Sequence, residues 1–410
     1  MTDFKPVSVG VVGIGHYAAT YVNCLFTMEE ERLGKLGAAV VRTRGKYPIE
    51  EEIVKRGVPI RATFDEMLER DRGQIEMVGL PTGIESHREQ MVRSVEAGMN
   101  VILEKPAAAT VQDFDAMQAA LARTGRFCAI GFQNQYKSTT LALKREIVAG
   151  RLGRILDVTV EGLWMRDEDY YKRTAWAGKL AVDGRCVLDG TINNPMAHYL
   201  FAGLFFASQK RGKAAVPASV RAELYHGHRI ESEDTACLEA VCDNGARVLF
   251  YGSLCSEAEN LIRITVRGEK AEAVWKIEGP VRIIDAERVR ELPDVGDDPR
   301  PEIFRNALRF HRKVEPELKC PLAMTRPHVL AVNGAFESAG LPRKIAAEHL
   351  KVYRKEVKGR EIRLTAVVGI DELVQRAARE RKLFSDLDVP WAYATKAFEM
   401  EGYKEFKLPG

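Results

Sequence analysis

The chain has 410 residues, of which 46% are hydrophobic and 29% are charged, a composition typical of a globular protein with two or three domains. Its 61 basic and 58 acidic residues leave a formal net charge of +3. Such a small imbalance gives no electrostatic argument for a nucleic-acid or membrane partner.

The N-terminal segment lacks the features of a signal peptide, and no apolar run is long enough to span a bilayer. The seven cysteines form no C-x-x-C motif, so we expect a reduced, cytoplasmic protein without a disulfide framework. His226 and His228 share one face of a predicted strand but have no nearby Cys or carboxylate partners in sequence. We therefore interpret them as solvated strand residues and predict no metal site.

Strands and helices alternate in the first third of the sequence. The apolar runs "VSVGVVGIG", "GAAVVRTR", "IEMVGLPTG", "NVILEKP" and "RFCAIGFQ" predict strands, and amphipathic segments between them predict helices. Strands separated by helices of this length are typical of parallel βαβ units in an α/β fold. Near residue 137 this alternation stops, which predicts a first domain over residues 1–136.

Period-two patterns predict a second, α+β domain over residues 137–345. Between about 154 and 286, segments such as "SVRAELYHG", "DTACLEAVC" and "ARVLFYGSL" alternate apolar and polar residues, which is typical of a largely antiparallel sheet. Asn244-Gly245 stands between two of these runs and predicts a hairpin turn. Residues 346–410 mix helical and charged segments and are predicted to form a C-terminal extension that packs on the domains.

A glycine turn follows the first predicted strand and precedes the first predicted helix. Its pattern, Gly13-x-Gly15-x-x-Ala18, in this context is typical of dinucleotide binding, because the exposed N–H groups at the helix start hold a pyrophosphate. The predicted cofactor contacts in this turn are Gly13, Ile14, Gly15, His16, Tyr17 and Ala18.

The end of the second strand bears on the choice of cofactor. NAD-binding folds usually place an acidic residue there to bind the ribose 2′-hydroxyl. This chain has Arg42, Thr43 and Arg44 instead, and an arginine can pair with the 2′-phosphate of NADP. The pattern favours NADP over NAD, while the alternative is a pair of solvated arginines at a strand end.

Two further strand ends carry polar groups where ligands of open α/β sheets bind. One is Pro81-Thr82, followed by His87 in the next predicted helix, and the other is Glu104-Lys105. We predict that all of these residues contact the cofactor, and that Lys105 also reaches a substrate hydroxyl.

Taken together, these motifs resemble the Gfo/Idh/MocA oxidoreductase family. The similarity rests on the glycine turn, on "PTGIESH" and above all on "AGMNVILEKPAAAT", and it extends over about residues 7 to 345. It implies an N-terminal Rossmann domain and a C-terminal α+β domain with a large open, mostly antiparallel sheet. It also implies NAD(P)-dependent hydride transfer to or from a sugar, polyol or related compound, and assembly as a dimer or tetramer.

In this family a D-x-x-x-H motif completes the site together with the lysine. Asp189 matches the aspartate, but Asn193 stands at the position of the histidine. Asparagine cannot accept a proton at neutral pH, although it can hydrogen-bond a hydroxyl or a carbonyl. The catalytic candidates are therefore Lys105, Asp189 and Asn193, with Lys105 handling the proton.

Residues around this motif are candidates for substrate binding. Asn194-Pro195 predicts a helix N-cap, which would place His198 one turn into the helix. The preceding segment supplies aromatic rings suited to sugar C–H surfaces and an arginine suited to a carboxylate or hydroxyls; packing between the domains is the alternative role. The predicted substrate contacts are Tyr171, Arg173, Trp176, Asn193 and His198.

The second-domain sheet is predicted to be apolar on both faces. In "RVLFYGSL", Val248 and Phe250 point to one side and Leu249 and Tyr251 to the other. An uncovered apolar face marks an interface, so we expect a homodimer or homotetramer built on this sheet.

Two other functions remain open. Some relatives keep the nicotinamide bound and oxidise a sugar carbon only transiently, which permits a glycosidase-type reaction; Tyr171 or His198 would then act as base. A dinucleotide-binding regulator without catalysis is the third possibility.

Overall fold

We describe the protein from a computed structural model covering residues 5–257, 261–357 and 359–409. The chain forms two compact units. The first comprises Met1–Ala108, Gln112–Lys137 and Asp298–Thr325, and the second comprises Ala109–Val111, Ser138–Asp297 and Arg326–Gly410. These boundaries differ from the predicted ones because residues 298–325 return to the first unit. In the part of the chain that the structure describes, no helix has the length and apolar character needed to cross a bilayer.

The first unit is built on six parallel strands with connecting helices, which confirms the predicted Rossmann-type α/β fold. Its strands are β1 (Val7–Val12), β2 (Gly34–Val40), β3 (Ile60–Arg61), β4 (Met77–Leu80), β5 (Asn100–Leu103) and β6 (Cys128–Ile130). Its helices are α1 (Ala18–Glu30), α2 (Ile49–Lys55), α3 (Phe64–Arg70), α4 (Ile84–Glu96), most of α5 (Val111–Thr124) and α8 (Pro299–His311). The strand order is β3-β2-β1-β4-β5-β6.

This strand order determines where a ligand can bind. The chain reverses direction across the sheet between β1 and β4, and a crevice forms at such a switch point outside the carboxyl ends of the strands. The glycine turn after β1, Pro81-Thr82 after β4 and Glu104-Lys105 after β5 therefore lie at one edge of the sheet.

The second unit contains a ten-stranded, mostly antiparallel sheet, as expected. Its strands are β7 (Ile155–Leu163), β10 (Pro217–His226), β11 (Thr235–Cys242), β12 (Arg247–Ser253), β13 (Leu261–Gly268), β14 (Glu272–Lys276), β15 (Val281–Ile284), β16 (Val289–Leu292), β17 (Arg343–Lys344) and β20 (Phe398–Glu399). Two short hairpins are separate: β8 (Ala181–Val182) with β9 (Arg185–Cys186), and β18 (Leu350–Val357) with β19 (Arg360–Val367). The remaining helices are α6 (Ser138–Val148), α7 (Ala197–Ala207), α9 (Arg326–Ala339) and α10 (Ile370–Glu380).

The sheet follows the predicted pairing in its centre. The Asn244-Gly245 turn joins β11 to β12 as an antiparallel hairpin, and Gly245 adopts the positive φ of +81° that such a turn requires. The pairing of β12 with β7 is parallel. Helices α7 and α9 cover one face, and Gly203 of α7 lies so close to the sheet that a Cβ there would come within 2.9 Å of Val160.

The opposite face of this sheet is also covered, by the C-terminal part of the same chain. We call the contact the C-terminal cluster. Its fully buried members are Leu163, Tyr225, Cys237, Leu249, Tyr251, Cys255, Ile345, Val367, Ile370, Val374, Ala377, Leu383 and Phe384. The predicted split of Leu249 and Tyr251 from Val248 and Phe250 is right, but the expectation of an uncovered apolar face is wrong. The tail supplies the apolar surface that we assigned to a second subunit.

Candidate functional site

The glycine turn has the backbone geometry that a dinucleotide requires. Gly13 has a φ of +95°, a value that side chains disfavour, and its N–H donates to the carbonyl of Val40 at 3.0 Å. The N–H of Ala18 donates to the carbonyl of Gly15 at 3.0 Å and begins α1. A Cβ on Gly15 would lie 2.1 Å from the ring of Tyr47, so a larger residue fits at this position only if that ring moves.

A cleft of about 540 Å³ opens over this turn in the first unit. It brings together eight of the predicted cofactor contacts: Gly13, Ile14, Gly15, Ala18, Arg42, Thr43, Pro81 and Thr82. The lining residues that we had not predicted include Lys46, Tyr47, Ser86 and Gln90. Since Lys46 follows Arg42 by four residues, its basic side chain was a signal in the sequence that we did not use.

The basic residues after β2 have different surroundings. Arg42 and Lys46 line the cleft, whereas the Arg44 guanidinium pairs with the buried carboxylate of Glu50. The same carboxylate accepts the N–H of Gly45 at 2.7 Å. Arg44 therefore braces the loop, and Arg42 and Lys46 supply the positive charge at the cleft.

The other six predicted cofactor residues lie outside this lining: Arg44, His16, Tyr17, His87, Glu104 and Lys105. His16 has a φ of 50°, and Tyr17 is 43% exposed. His87 is 0% exposed, and its ring nitrogens lie 3.0 Å from the carbonyl of Pro106 and 3.1 Å from that of Thr82. Burial lowers the pKa of His87 to about 4. This placement corrects our expectation for His87, whose ring joins two strand ends beneath the cleft surface.

Glu104 and Lys105 follow β5 at the same edge. The Glu104 carboxylate is buried. It accepts hydrogen bonds from the Tyr21 hydroxyl at 3.2 Å and from the backbone N–H of Lys105 at 3.0 Å. Burial raises the pKa of Glu104 to about 7, and the Lys105 charge opposes that rise. Glu104 therefore holds the backbone of Lys105, whose own side chain is partly buried.

In the second unit, Asp189 is held by three donors. Its Oδ2 accepts the N–H of Gly178 at 2.7 Å and lies 3.3 Å from the Arg173 guanidinium, and its other oxygen accepts the Asn194 amide. Only 3% of the residue is exposed. These bonds fix the carboxylate and tie the 170–178 loop to the motif.

Asn193 and His198 are placed differently from the expectation. Helix α7 begins at Ala197 with Met196 as a cap that makes no side-chain bond, so the predicted Asn194-Pro195 cap is wrong. Asn193 is 0% exposed, and its amide donates to the carbonyl of Val187 at 3.0 Å. His198 is partly buried in the first turn of α7.

The aromatic residues before the motif pack against charged and aromatic neighbours. The guanidinium carbon of Arg173 lies 3.8 Å from the centre of the Tyr170 ring and 5.0 Å from that of the Trp176 ring. The ring of Tyr171 lies 4.8 Å from that of His228.

His228 is 4% exposed, which corrects the expectation of a solvated strand residue. Its Nδ1 lies 2.9 Å from Asp234 and 3.3 Å from the Cys255 sulfur, an arrangement that could hold a metal ion. The Asp234 oxygens already accept the backbone N–H groups of Gly227 and His228, so these bonds account for the cluster without an ion.

One buried acid beneath the motif escaped the sequence analysis. Glu233 is 0% exposed, and its carboxylate accepts the N–H of Ile192 at 3.1 Å and the hydroxyl of Ser232 at 2.7 Å. A Cβ on Gly190 would lie 2.0 Å from it, so the turn after Asp189 wraps around this side chain. Burial raises the pKa of Glu233 to about 7, and the Asp189 charge adds to that rise.

The burial of Glu233 predicts how the stability of the protein depends on pH. Because the pKa of Glu233 is higher in the folded state than in the unfolded chain, the folded state retains a proton that the unfolded state has lost. Its contribution to stability is therefore present below the unfolded value of about 4.5 and is lost as the pH rises to about 7, at a cost of roughly 3 kcal/mol. Glu233→Gln should consequently lose less stability at pH 8 than at pH 5, as measured by thermal unfolding. An identical difference from the wild type at both pH values would contradict this account.

Comparisons with known proteins agree with this geometry. Residues 7–132 match the model described as "Oxidoreductase family, NAD-binding Rossmann fold", and residues 140–274 match the "GFO/IDH/MocA C-terminal domain". The chain belongs to the Gfo/Idh/MocA oxidoreductase family. The resemblance noted in the sequence is thereby confirmed.

Several relatives of this Gfo/Idh/MocA chain are named as dehydrogenases. It is 24% identical over 323 residues to a Bacillus subtilis protein named glucose-6-phosphate 3-dehydrogenase, covering 75% of this chain and 86% of that protein. The solved structure of the WlbA dehydrogenase from Bordetella pertussis, with NADH and UDP-GlcNAcA, has a TM-score of 0.68 at 23% identity. It covers 82% of this chain and 96% of that structure's chain.

A second solved structure is named for the other nicotinamide cofactor. It is a putative NADPH-dependent oxidoreductase from Desulfitobacterium hafniense with a TM-score of 0.68 at 15% identity, covering 82% of this chain and 96% of that one. Because the chain belongs to this oxidoreductase family, the protein is an enzyme of the NAD(P)-dependent dehydrogenase and reductase class.

Proposed function

We propose that the protein transfers hydride between NADP and a hydroxyl or carbonyl carbon of a sugar, polyol or related compound. The observation that carries the cofactor choice is the lining of the cleft. Arg42 and Lys46 stand beside the glycine turn, and no carboxylate belongs to the lining in the described part of the chain. A carboxylate there would repel a 2′-phosphate, whereas a guanidinium pairs with it.

A bound nicotinamide would supply the hydride acceptor or donor. The residues of this chain have to manage the proton of the reacting hydroxyl, and Lys105 is our candidate for that step. Glu104 fixes the backbone at this lysine by accepting its N–H. Such acid/base groups contribute factors of roughly 10² to 10⁴ to a rate.

Substrate positioning falls to residues of the second unit. Asp189 would accept a substrate hydroxyl through its carboxylate, one oxygen of which lies beside Arg173 while the other accepts the Asn194 amide. Tyr171, Trp176 and His198 would contact the sugar. Asn193 would act on substrate through the turn that it braces, because its side chain is buried against Val187.

The expected homodimer or homotetramer needs a different surface from the one that we first assigned. The C-terminal cluster already covers the apolar sheet face around Leu249 and Tyr251. Any self-association would therefore use another face of the protein.

The choice of cofactor is tested by titration. We expect wild type to bind NADP more tightly than NAD, and Arg42→Ala to weaken NADP binding by roughly tenfold, the scale of one charge-assisted hydrogen bond. NAD binding should change little, because NAD lacks the phosphate. Arg44→Ala is the matched control and should have a smaller effect, since Arg44 is engaged with Glu50. Equal or stronger NAD binding by wild type would overturn the preference.

The reaction itself is tested by incubating the enzyme with NAD or NADP and a panel of sugars and polyols. Formation of reduced nicotinamide, followed by absorbance, supports hydride transfer from an alcohol. The matching ketones with reduced cofactor test the opposite direction.

A further inference from the structure

The segment from Trp164 to Trp176, which we call the arginine loop, carries a positive group that the proposed mechanism does not use. Arg166 lies with its guanidinium carbon 4.7 Å from the centre of the Trp164 ring and 5.0 Å from that of Tyr170. Two aromatic rings thus hold the guanidinium in one orientation. Such stacking leaves the planar edge of the group available for hydrogen bonds.

Among the residues that the structure describes, none neutralises the charge of Arg166. Its Nε–H group is buried and has no acceptor, and no carboxylate among the described residues forms an ion pair with it. One terminal nitrogen donates to the carbonyl of Met165 at 3.2 Å. A buried donor without an acceptor costs free energy, which an incoming acceptor would recover.

The acids beside Arg166 in the sequence are engaged elsewhere. Asp167 accepts the N–H of Tyr170 at 2.7 Å. Glu168 pairs with Arg363 at 3.0 Å, and Asp169 pairs with Lys172 at 3.0 Å. The β18–β19 hairpin, which supplies Arg363, therefore binds an acid that could otherwise neutralise Arg166.

The position of Arg166 connects it to the motif. The Tyr170 ring that contacts Arg166 also lies under Arg173, and Arg173 in turn reaches Asp189 at 3.3 Å. The two guanidinium groups consequently share one ring near the carboxylate that we assign to substrate positioning. Of the two, Arg173 has a carboxylate partner, whereas Arg166 has none in the described part of the chain.

We infer that Arg166 binds an anionic group of the substrate, so that the preferred substrates are sugars bearing a phosphate or a carboxylate. The inference rests on the proposed function, since it names the substrate class of the same site. Both anions offer oxygen acceptors to a guanidinium fork, and such charge-assisted bonds are stronger than neutral ones.

Calorimetry on the full chain saturated with NADP tests this inference. The probes are glucose, galactose and mannose, each with its 6-phosphate and its uronate. We expect one anionic series to bind more tightly than the neutral sugars by roughly tenfold or more, and the series that does so distinguishes phosphate from carboxylate. The preference should weaken as salt is added, because exposed charges are screened.

Substitutions test whether Arg166 causes the preference for anionic sugars. Arg166→Ala should abolish it while leaving the neutral sugars within about twofold, and Arg166→Lys should retain part of it because an ammonium keeps the charge without the fork. The matched control is Arg354→Ala, an exposed arginine paired with Glu361 of its own hairpin, and it should preserve the preference. A preference that survives Arg166→Ala, or wild type that binds no anion better than its neutral parent, would overturn the inference.

Turnover separates this inference from the proposed function. Tight anion binding through Arg166 without any change in reduced nicotinamide would refute hydride transfer and keep the binding site. Oxidation of neutral sugars without any preference for anionic ones would support hydride transfer and refute the anion site at Arg166.

Discussion

Lys105→Ala should lower the turnover number by a factor of roughly 10² or more, the scale expected when an acid/base group is removed. The lysine follows β5 at the ligand-binding edge, and Glu104 holds its backbone N–H at 3.0 Å. Steady-state kinetics with the best substrate from the panel measures the effect. Because the loss falls on proton transfer, turnover should fall more than the Michaelis constant changes.

Two controls keep this result interpretable. NADP titration should show that the variant still binds cofactor, and Lys35→Ala, at an exposed position of β2, should turn over like wild type. Unchanged turnover in Lys105→Ala with cofactor bound would remove Lys105 from the mechanism. His198 or Tyr171 would then be the next candidates for the proton.

Phe384→Ala should destabilise the second unit by about 3–5 kcal/mol, the usual cost of deleting a buried aromatic side chain. Phe384 is 0% exposed, and its ring lies 6.2 Å from that of Tyr251 and 5.7 Å from that of Trp391. Urea unfolding followed by tryptophan fluorescence measures the change, since Trp391 packs against the same cluster.

Val368→Ala is the matched control, because Val368 is 63% exposed and should change stability by less than about 0.5 kcal/mol. A Phe384→Ala variant as stable as this control would show that the tail does not cover the sheet in solution. The apolar face would then again be available for a second subunit.

The parts of the fold that local patterns determine could be predicted from the sequence. Apolar runs separated by helices indicated the parallel sheet, and Gly13 and Gly15 indicated the turn that begins α1. Asn244-Gly245 indicated the hairpin, because the positive φ of Gly245 is a conformation that glycine adopts readily. The family resemblance supplied the open sheet of the second unit.

The misplaced residues depend on partners far along the chain. His87 is buried because the carbonyls of Thr82 and Pro106 meet its ring, and no helical period encodes that contact. Tyr251 is covered by Phe384, more than a hundred residues later. A usable signal for this cover was present: Ile370, Val374 and Ala377 recur at the spacing of one buried helix face.

In the site too, residues placed by their neighbours in sequence could be predicted, and residues placed by distant segments could not. Arg42 was found because its position after β2 follows from the βαβ pattern, and it does line the cleft. Glu233 was missed because it lies 41 residues from Ile192, in the turn that it supports. Burial of a carboxylate under a distant loop cannot be read from neighbours in sequence.

The transfer of a labelled hydrogen tests the proposed reaction most directly. An active sugar or polyol carrying deuterium on the reacting carbon is incubated with enzyme and NADP, and the nicotinamide product is analysed by mass spectrometry. Our account predicts one deuterium in each reduced nicotinamide, formed in proportion to the ketone. Cleaved or dehydrated sugar without net reduced nicotinamide would contradict it and support the transient-oxidation reaction instead.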